Sequence, residues 1–250
     1  MSTATPATLA EDEPKYPLHD AAGEGKTQLV ESLLSSNPKD ALKKDDDGRL
    51  PIHWAASNSH DAVVDLLLLV KGFDIDETDG SGWTVLHIAA STGNDALVEK
   101  LIKRGADVDQ KNNNGQTALH FATSKNHLQT VKLLLANGAS ARIRDRRSQL
   151  PLHRAAAIGS VPITKLLLQH NSPINTSDIS NQTALHHAMA EGNGDVVVEL
   201  LRAGAEQEKK DDDDKFWWEL APSDRKVVQY VKQACKAEGI KLKIEGEGQD

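Results

Sequence analysis

The sequence predicts an all-α solenoid of seven helix-turn-helix units, and three observations predict it. First, a histidine recurs: His19, His53, His87, His120, His153 and His186 follow one another at spacings of 34, 34, 33, 33 and 33 residues. Self-similarity at such a period marks a stacked array rather than a single globule. Second, each histidine sits in the same local string: YPLHDAA, LPIHWAA, TVLHIAA, TALHFAT, LPLHRAA and TALHHAM. A further step of 33 lands on Glu219 in FWWELAP, so a seventh unit keeps the register without the histidine. Third, each string is followed by a segment with a leucine-rich helical face, such as ALVEKLIKR or DVVVELLRA.

Taken in order, residues 1–14 read as a disordered N-terminal tail, 15–237 as the repeat domain and 238–250 as a flexible C-terminal tail. The opening stretch has no basic start followed by an apolar block, so no secretion signal is expected. In each unit the first helix is announced by its cap. Thr84, Thr117 and Thr183 suit the N-cap, and Pro17, Pro51 and Pro151 suit the first turn. The helix that follows has only about seven residues, well under the ~12–15 at which an isolated helix is marginal, so it needs neighbours. Gly25, Gly93, Asn126, Gly159 and Gly192 then supply a left-handed corner, with Ser59 departing from the pattern and predicting an altered turn. Gly105, Gly138 and Gly204 stop the second helix before a polar connector rich in Asp and Asn. The end units need polar outer faces. Tyr16 and GEGKTQ serve at the front, while Phe216, Trp217 and Trp218 fill the Thr-Pro-Leu slots at the back and are expected to plug the last interface.

Composition excludes several function classes. The chain of 250 residues carries 37 acidic and 29 basic side chains, a net charge of −8 that argues against a nucleic-acid partner. Only 4% of residues are aromatic, which predicts a core of small aliphatic side chains. The single Cys235 excludes an internal disulfide and a cysteine-based zinc cluster. The longest apolar stretch, Ala62 to Val70, is broken by Asp65 and is too short to span a bilayer. These features predict a soluble monomer of cytoplasm and nucleus with no membrane contact.

The six strings resemble the ankyrin repeat, whose signature is Thr-Pro-Leu-His-x-Ala. The resemblance covers 15 to 235 and implies that the connectors form β-hairpin fingers, which with the first helices make a concave binding face. It also places the histidines one helix diameter apart, about 10 Å, too far to share a zinc ion bound at ~2.1 Å. Each is expected to hydrogen-bond within its turn and to the next unit. His187 is expected to point toward the concave side. GEGKT at 23–27 lacks the first glycine of a phosphate-binding loop, because position 20 is Asp20, and no nucleophile elbow or paired-carboxylate motif is present. No enzyme and no cofactor are expected. The run Asp211 to Asp214 keeps the repeat register and reads as the seventh unit's own acidic finger.

Charges on the predicted face are grouped. Asp45, Asp46, Asp47 and Arg49 precede the second unit, and Asp74, Asp76, Glu77 and Asp79 the third. Before the fifth unit the sign reverses, with five arginines (Arg142, Arg144, Arg146, Arg147 and Arg154) within 13 residues. Acidic character returns at Asp178, Glu191 and Asp211 to Asp214. Such an order suits a partner of complementary order, with Trp54, Trp83 and Phe121 as anchors. The strings DGRLPIHWAAS, GSGWTVLHIAASTGN, GQTALHFATSKN and PLHRAAAIGS are further similar to the gankyrin family, the proteasomal non-ATPase subunits that chaperone regulatory-particle assembly. That resemblance implies binding to the C-terminal domain of one AAA ATPase subunit of the proteasome base, with Asp47, Arg49, Lys125 and Glu191 as ionic contacts and Trp54 and Trp83 beside them. Asp79, Arg144, Arg146, Arg147 and Arg154 join the candidate set from this sequence alone. Animal members carry a Leu-x-Cys-x-Glu string linked to binding the retinoblastoma protein; His187, Met189 and Glu191 stand there instead, so that activity is not implied. The alternative is a generic ankyrin adaptor, such as a transcriptional regulator or an inhibitor with a cyclin-dependent kinase as partner.

Overall fold

The structure, a computed structural model, describes residues 14–223 and 226–244. Residues 1–13 of the expected N-terminal tail and 245–250 of the C-terminal one lie outside the described residues. Six helix pairs follow one another: α1 (Pro17–Gly23) with α2 (Thr27–Ser36), α3 (Pro51–Ser57) with α4 (Asp61–Leu67), and α5 (Val85–Thr92) with α6 (Asp95–Lys103). Then come α7 (Ala118–Ser124) with α8 (Leu128–Ala136), α9 (Pro151–Ile158) with α10 (Val161–Gln169), and α11 (Ala184–Ala190) with α12 (Gly194–Arg202). In the seventh unit the first helix shrinks to a 3-10 turn, Trp217–Leu220, before α13 (Lys226–Ala237). The odd-numbered helices α1 to α11 stack in one row that ends on this turn, and each packs on its own partner helix behind.

Small side chains set the spacing of that row. Ala21 and Ala22, Ala55 and Ala56, Ala89 and Ala90, and Ala155 and Ala156 are buried at the helix contacts, with leucine and valine from the second helices closing the core. The aromatic scarcity follows, because thin units in close contact leave no room for rings. The exception is at the end. Trp217 is wholly buried, while Phe216 and Trp218 stack beside it at 4.4 Å between centroids.

The recurring histidine holds its own helix start in five units and reaches a carbonyl of the next unit in four, His19 on Arg49 at 3.0 Å among them. Nδ1 of His53, His87, His120, His153 and His186 accepts the N–H of the residue three positions earlier at 3.0 to 3.2 Å. An accepting Nδ1 carries no proton, so the proton sits on Nε2. From there His87, His120 and His153 donate to the carbonyls of Gln116, Gln149 and Thr176 in the next unit, at 3.1, 3.2 and 3.0 Å. Nε2 of His53 and His186 is buried without such a partner among the described residues. Burial pushes His120 and His153 down to about 4 and lowers His53, His87 and His186 as well. Glu219, which replaces the histidine in the seventh unit, keeps half of this role: its Oε2 accepts the N–H of Phe216 at 2.8 Å.

The corners between paired helices are equally repetitive. Gly93 is left-handed (φ 72°), and a Cβ there would stand 2.7 Å from Nδ1 of His127 in the next unit. That ring reaches back to the carbonyl of Ser91 at 3.1 Å. Ser59 adopts the same left-handed corner (φ 59°) that glycine serves elsewhere, so the second unit keeps the turn. At the other end, folded structure runs past the expected boundary at 237. Gln207 brackets the following segment, donating to the carbonyl of Lys241 at 2.9 Å and accepting the N–H of Lys243 at 2.8 Å. Ile240, Leu242 and Ile244 turn alternately onto the core. Among the described residues no helix is long and apolar enough to cross a membrane.

Candidate protein-binding face

Six five-residue turns project from the stack at 45–49, 79–83, 112–116, 145–149, 178–182 and 211–215. Each begins with an Asp or Asn: Asp45, Asp79, Asn112, Asp145, Asp178 and Asp211. One side-chain oxygen of that residue accepts the N–H groups two and four positions on, at 2.8 to 3.1 Å throughout. The fourth residue is left-handed in every case, with φ between 56° and 79° at Gly48, Gly82, Gly115, Ser148, Asn181 and Asp214. Short polar side chains at position one and glycine, Asn or Asp at position four suit such a turn. These fingers are tighter than the expected β-hairpins. Among the described residues only two isolated bridges form, Ser177 with Thr183 and Lys210 with Phe216.

Neighbouring fingers are strung together by one bond each, from the N–H at position two to the carbonyl at position three of the finger before. The links are Gly80 to Asp47 (2.9 Å), Asn113 to Ser81 (3.1 Å), Arg146 to Asn114 (2.8 Å), Ile179 to Arg147 (3.0 Å) and Asp212 to Ser180 (3.1 Å). Beneath three of them, the residue after the recurring histidine braces the finger root. Trp54 Nε1 donates to Asp45 Oδ2 at 2.7 Å, Arg154 Nη2 to Asp145 Oδ2 at 2.8 Å, and His187 Nε2 meets Asp178 Oδ2 at 3.0 Å. His187 thus does face the fingers. Burial pushes the Asp45, Asp178 and Asp211 carboxyls up, but the hydrogen bonds they accept outweigh it and hold each below its ordinary value.

This construction corrects part of the candidate set. Asp79 is only 8% exposed, its Oδ1 holding Ser81 and Trp83 N–H, so it is a finger root and not a contact residue. Arg154 is paired with Asp145 and is a brace rather than a free cation. The acidic run before the third unit is also engaged internally. Asp74 accepts its neighbour's N–H at Asp76, Asp76 accepts that of Asp107, and Glu77 pairs with Lys44. Trp54 and Trp83 are half-buried. The Arg49 guanidinium lies 4.8 Å over the Trp54 ring, and Trp83 packs 4.1 Å from Phe121. Arg49 also has its Nε 3.6 Å from Asp79 Oδ2. The remaining candidates are exposed. Asp47, Lys125, Arg144, Arg146, Arg147 and Glu191 have side chains without an ionic partner among the described residues.

What a partner meets is therefore set at finger positions two and three. In order these read Asp46-Asp47, Gly80-Ser81, Asn113-Asn114, Arg146-Arg147, Ile179-Ser180 and Asp212-Asp213. Asp211 to Asp214 occupies the last of these turns, as the register required. Below the fingers lie two shallow depressions, one of 420 Å³ lined by Tyr16, Asp20, Asp47 and Trp54, the other of 360 Å³ lined by Arg49, Ser57, Trp83 and Ser91. Among the described residues no three His, Cys, Asp or Glu side chains gather as metal ligands would. Cys235 is buried on α13, and burial pushes its thiol up. The sequence pattern presents the acidic root residues as surface charges and does not single out Ile179, although an Asp or Asn three residues before a Gly, Ser, Asn or Asp recurs at the repeat period.

Repeated roots, variable tips and a row of short helices beneath define a helical-repeat scaffold that presents a surface to another macromolecule. The family model for ankyrin repeats (three copies) matches residues 5–79, 63–145 and 137–211. The chain belongs to the ankyrin-repeat family, and its repeats make it a protein-interaction scaffold. It is similar to the crystal structure of the ankyrin repeat domain of Bcl-3, described as a unique member of the IkappaB protein family, with 29% identity and a TM-score of 0.71. That alignment covers 89% of this chain and 100% of the Bcl-3 domain. Among curated proteins no sequence match is found.

Proposed function

We propose that this chain is a gankyrin-like assembly chaperone of the proteasome regulatory particle. It binds the C-terminal domain of one base AAA ATPase subunit and acts by occlusion, as a monomer of cytoplasm and nucleus, without catalysis or cofactor. The observation that carries the reading is the set of exposed, uncommitted charges on one face. Asp47 stands at a fingertip, and Lys125 and Glu191 stand just past the ends of α7 and α11, while Arg49 is half-buried beside them, between the Trp54 ring and Asp79. Those are the positions that the resemblance to gankyrin nominates. Charged groups with no internal partner give a face orientation and on-rate toward a complementary surface. Trp54 and Trp83 supply half-buried edges rather than free anchors.

The test is a charge exchange. Lys125→Glu combined with Glu191→Lys leaves net charge unchanged and touches no internal bond. It is expected to abolish capture of the ATPase C-terminal domain while helical content stays the same. Undiminished capture contradicts the groove assignment. A second reading is a generic ankyrin adaptor, such as a transcriptional regulator or a cyclin-dependent kinase inhibitor; the likeness to the ankyrin repeat domain of Bcl-3 supports the adaptor class alone. Affinity purification from native extract separates the two, since only the first reading expects base ATPase subunits in the eluate.

A further inference from the structure

The fifth-unit finger and its neighbour concentrate features that the fold does not use. Asp145, the one acid in the turn, is withdrawn: Oδ1 holds the N–H groups of Arg147 and Gln149, and Oδ2 takes Arg154. Arg144, Arg146 and Arg147 are left exposed, with no acceptor for their guanidinium groups among the described residues. On the next finger Asp178 is withdrawn in the same way, by Ser180, Gln182, Gln149 and His187. Its tip offers Ile179, 60% exposed and tied to the arginine finger through its N–H on the Arg147 carbonyl at 3.0 Å. A cationic fork and an aliphatic side chain thus stand side by side on adjacent tips. Neither is required by the turn, because the other fingers build the same turn with Gly-Ser, Asn-Asn or Asp-Asp at those places.

We propose that these two tips form a docking site for an acidic protein segment that carries an aliphatic residue close to its carboxylates. Guanidinium groups bind carboxylates in a planar two-point geometry. Ile179 gains by covering an aliphatic side chain that would otherwise face water. The acids flanking the site select the partner's length. On the following tip Asp213 pairs with Lys215, whereas Asp212 has no ionic partner among the described residues. Asp212 repels an acidic run that extends past Ile179, so the matching segment is short or turns basic there. The chain's overall charge of −8 opposes a nucleic acid, whose phosphates would meet acidic tips on the first and last fingers. The site needs no ATPase and stands whether or not the chaperone reading does.

The test uses the full chain and a short fluorescein-labelled peptide, Glu-Glu-Leu-Glu-Asp-Leu-Glu, in fluorescence anisotropy. Wild type is expected to bind it, and to lose binding as salt rises to about 0.5 M, where screening acts within ~5 Å. Arg146→Glu with Arg147→Glu is expected to weaken binding at least about tenfold, roughly the loss of two exposed charge pairs. The milder Arg146→Gln with Arg147→Gln shows a smaller loss in the same direction should the reversal disturb folding. Ile179→Ser weakens it less, and Lys132→Glu on the exposed side of α8 leaves it unchanged. The same peptide with lysine in place of its acids does not bind. The proposal is overturned if wild type fails to bind the acidic peptide, if both arginine variants bind as wild type does, if Lys132→Glu weakens binding as much as they do, or if single-stranded oligothymidylate binds more tightly than the peptide.

Discussion

The turns at 45–49 and 145–149 are built by the same bonds and show opposite surfaces. In each, one carboxylate oxygen of the first residue holds two backbone N–H groups, while the other takes a side chain from the helix below, Trp54 in one and Arg154 in the other. In each, the fourth residue is left-handed. Yet one tip presents Asp46-Asp47, with Asp46 taking Lys15 and the Tyr16 hydroxyl and Asp47 without an ionic partner among the described residues, and the other presents Arg146-Arg147. The difference teaches that folding information sits at positions one and four, and recognition information at two and three. A surface organised this way is rewritten without refolding the turn.

The largest expected effect comes from breaking a root. Asp145→Ala leaves the N–H groups of Arg147 and Gln149 unsatisfied and strips the partner from Arg154, a loss of about 3 kcal/mol. Urea unfolding measures it, and a loss under about 1 kcal/mol would erase the distinction between root and tip. Acid reaches the stack by another route, through buried histidines: His120 holds the closing carbonyl of the fifth-unit finger, at Gln149, and His153 the carbonyl of Thr176. His120 and His153 titrate near 4 in the folded chain, below the ~6.5 of an unfolded histidine, so the unfolded state takes up protons first. Their contribution is full above pH ~6.5 and declines as pH falls toward 4. By pH 5 the loss amounts to on the order of 2 kcal/mol each. Unfolding midpoints that stay flat between neutral pH and pH 5 would contradict the neutral, buried assignment.

Smaller changes sharpen the comparison. Asp145→Asn keeps the accepting Oδ1, as Asn112 does in the fourth-unit finger, and weakens only the Arg154 pair. Its cost is therefore about 1 kcal/mol on the same unfolding assay; a cost matching the alanine variant would mean that charge, not the turn, is what the root supplies. Ser148 holds a left-handed backbone that glycine holds in the first three fingers. Ser148→Gly is thus expected to raise stability, by up to about 1 kcal/mol, on thermal or urea unfolding. A loss there would show that the serine hydroxyl has a use in the turn.

Much of this was legible from residue spacing. The histidine period locates every unit, Thr-x-x-His announces a cap that the structure builds, and the Phe-Trp-Trp string puts Trp217 at the final interface, where it is buried. Glu219 shows why the register outlived the histidine: a carboxylate accepts the same N–H that Nδ1 accepts elsewhere. The charge bands were legible only in part. Counting acids treats every carboxylate as surface, whereas Asp45, Asp79, Asp145, Asp178 and Asp211 have oxygens committed to the finger turns, and Asp76 to an N–H of the next unit. Hydrogen-bond commitment depends on backbone geometry that net charge does not carry. The packing of Ile240, Leu242 and Ile244 was missed for a similar reason. Alternating aliphatic and lysine residues resemble a solvated tail until Gln207 is seen to bracket them.

The claim that tips carry recognition while roots carry the fold is met most directly by exchanging one tip residue between the two fingers. Asp47→Arg combined with Arg147→Asp conserves net charge, involves two exposed side chains without ionic partners, and leaves both roots intact. Urea unfolding and binding of the proteasome ATPase C-terminal domain are measured on the same protein. The expected result is stability within about 0.5 kcal/mol of wild type and binding weakened at least about tenfold. Stability lowered by more than about 1 kcal/mol, or binding left unchanged, contradicts it.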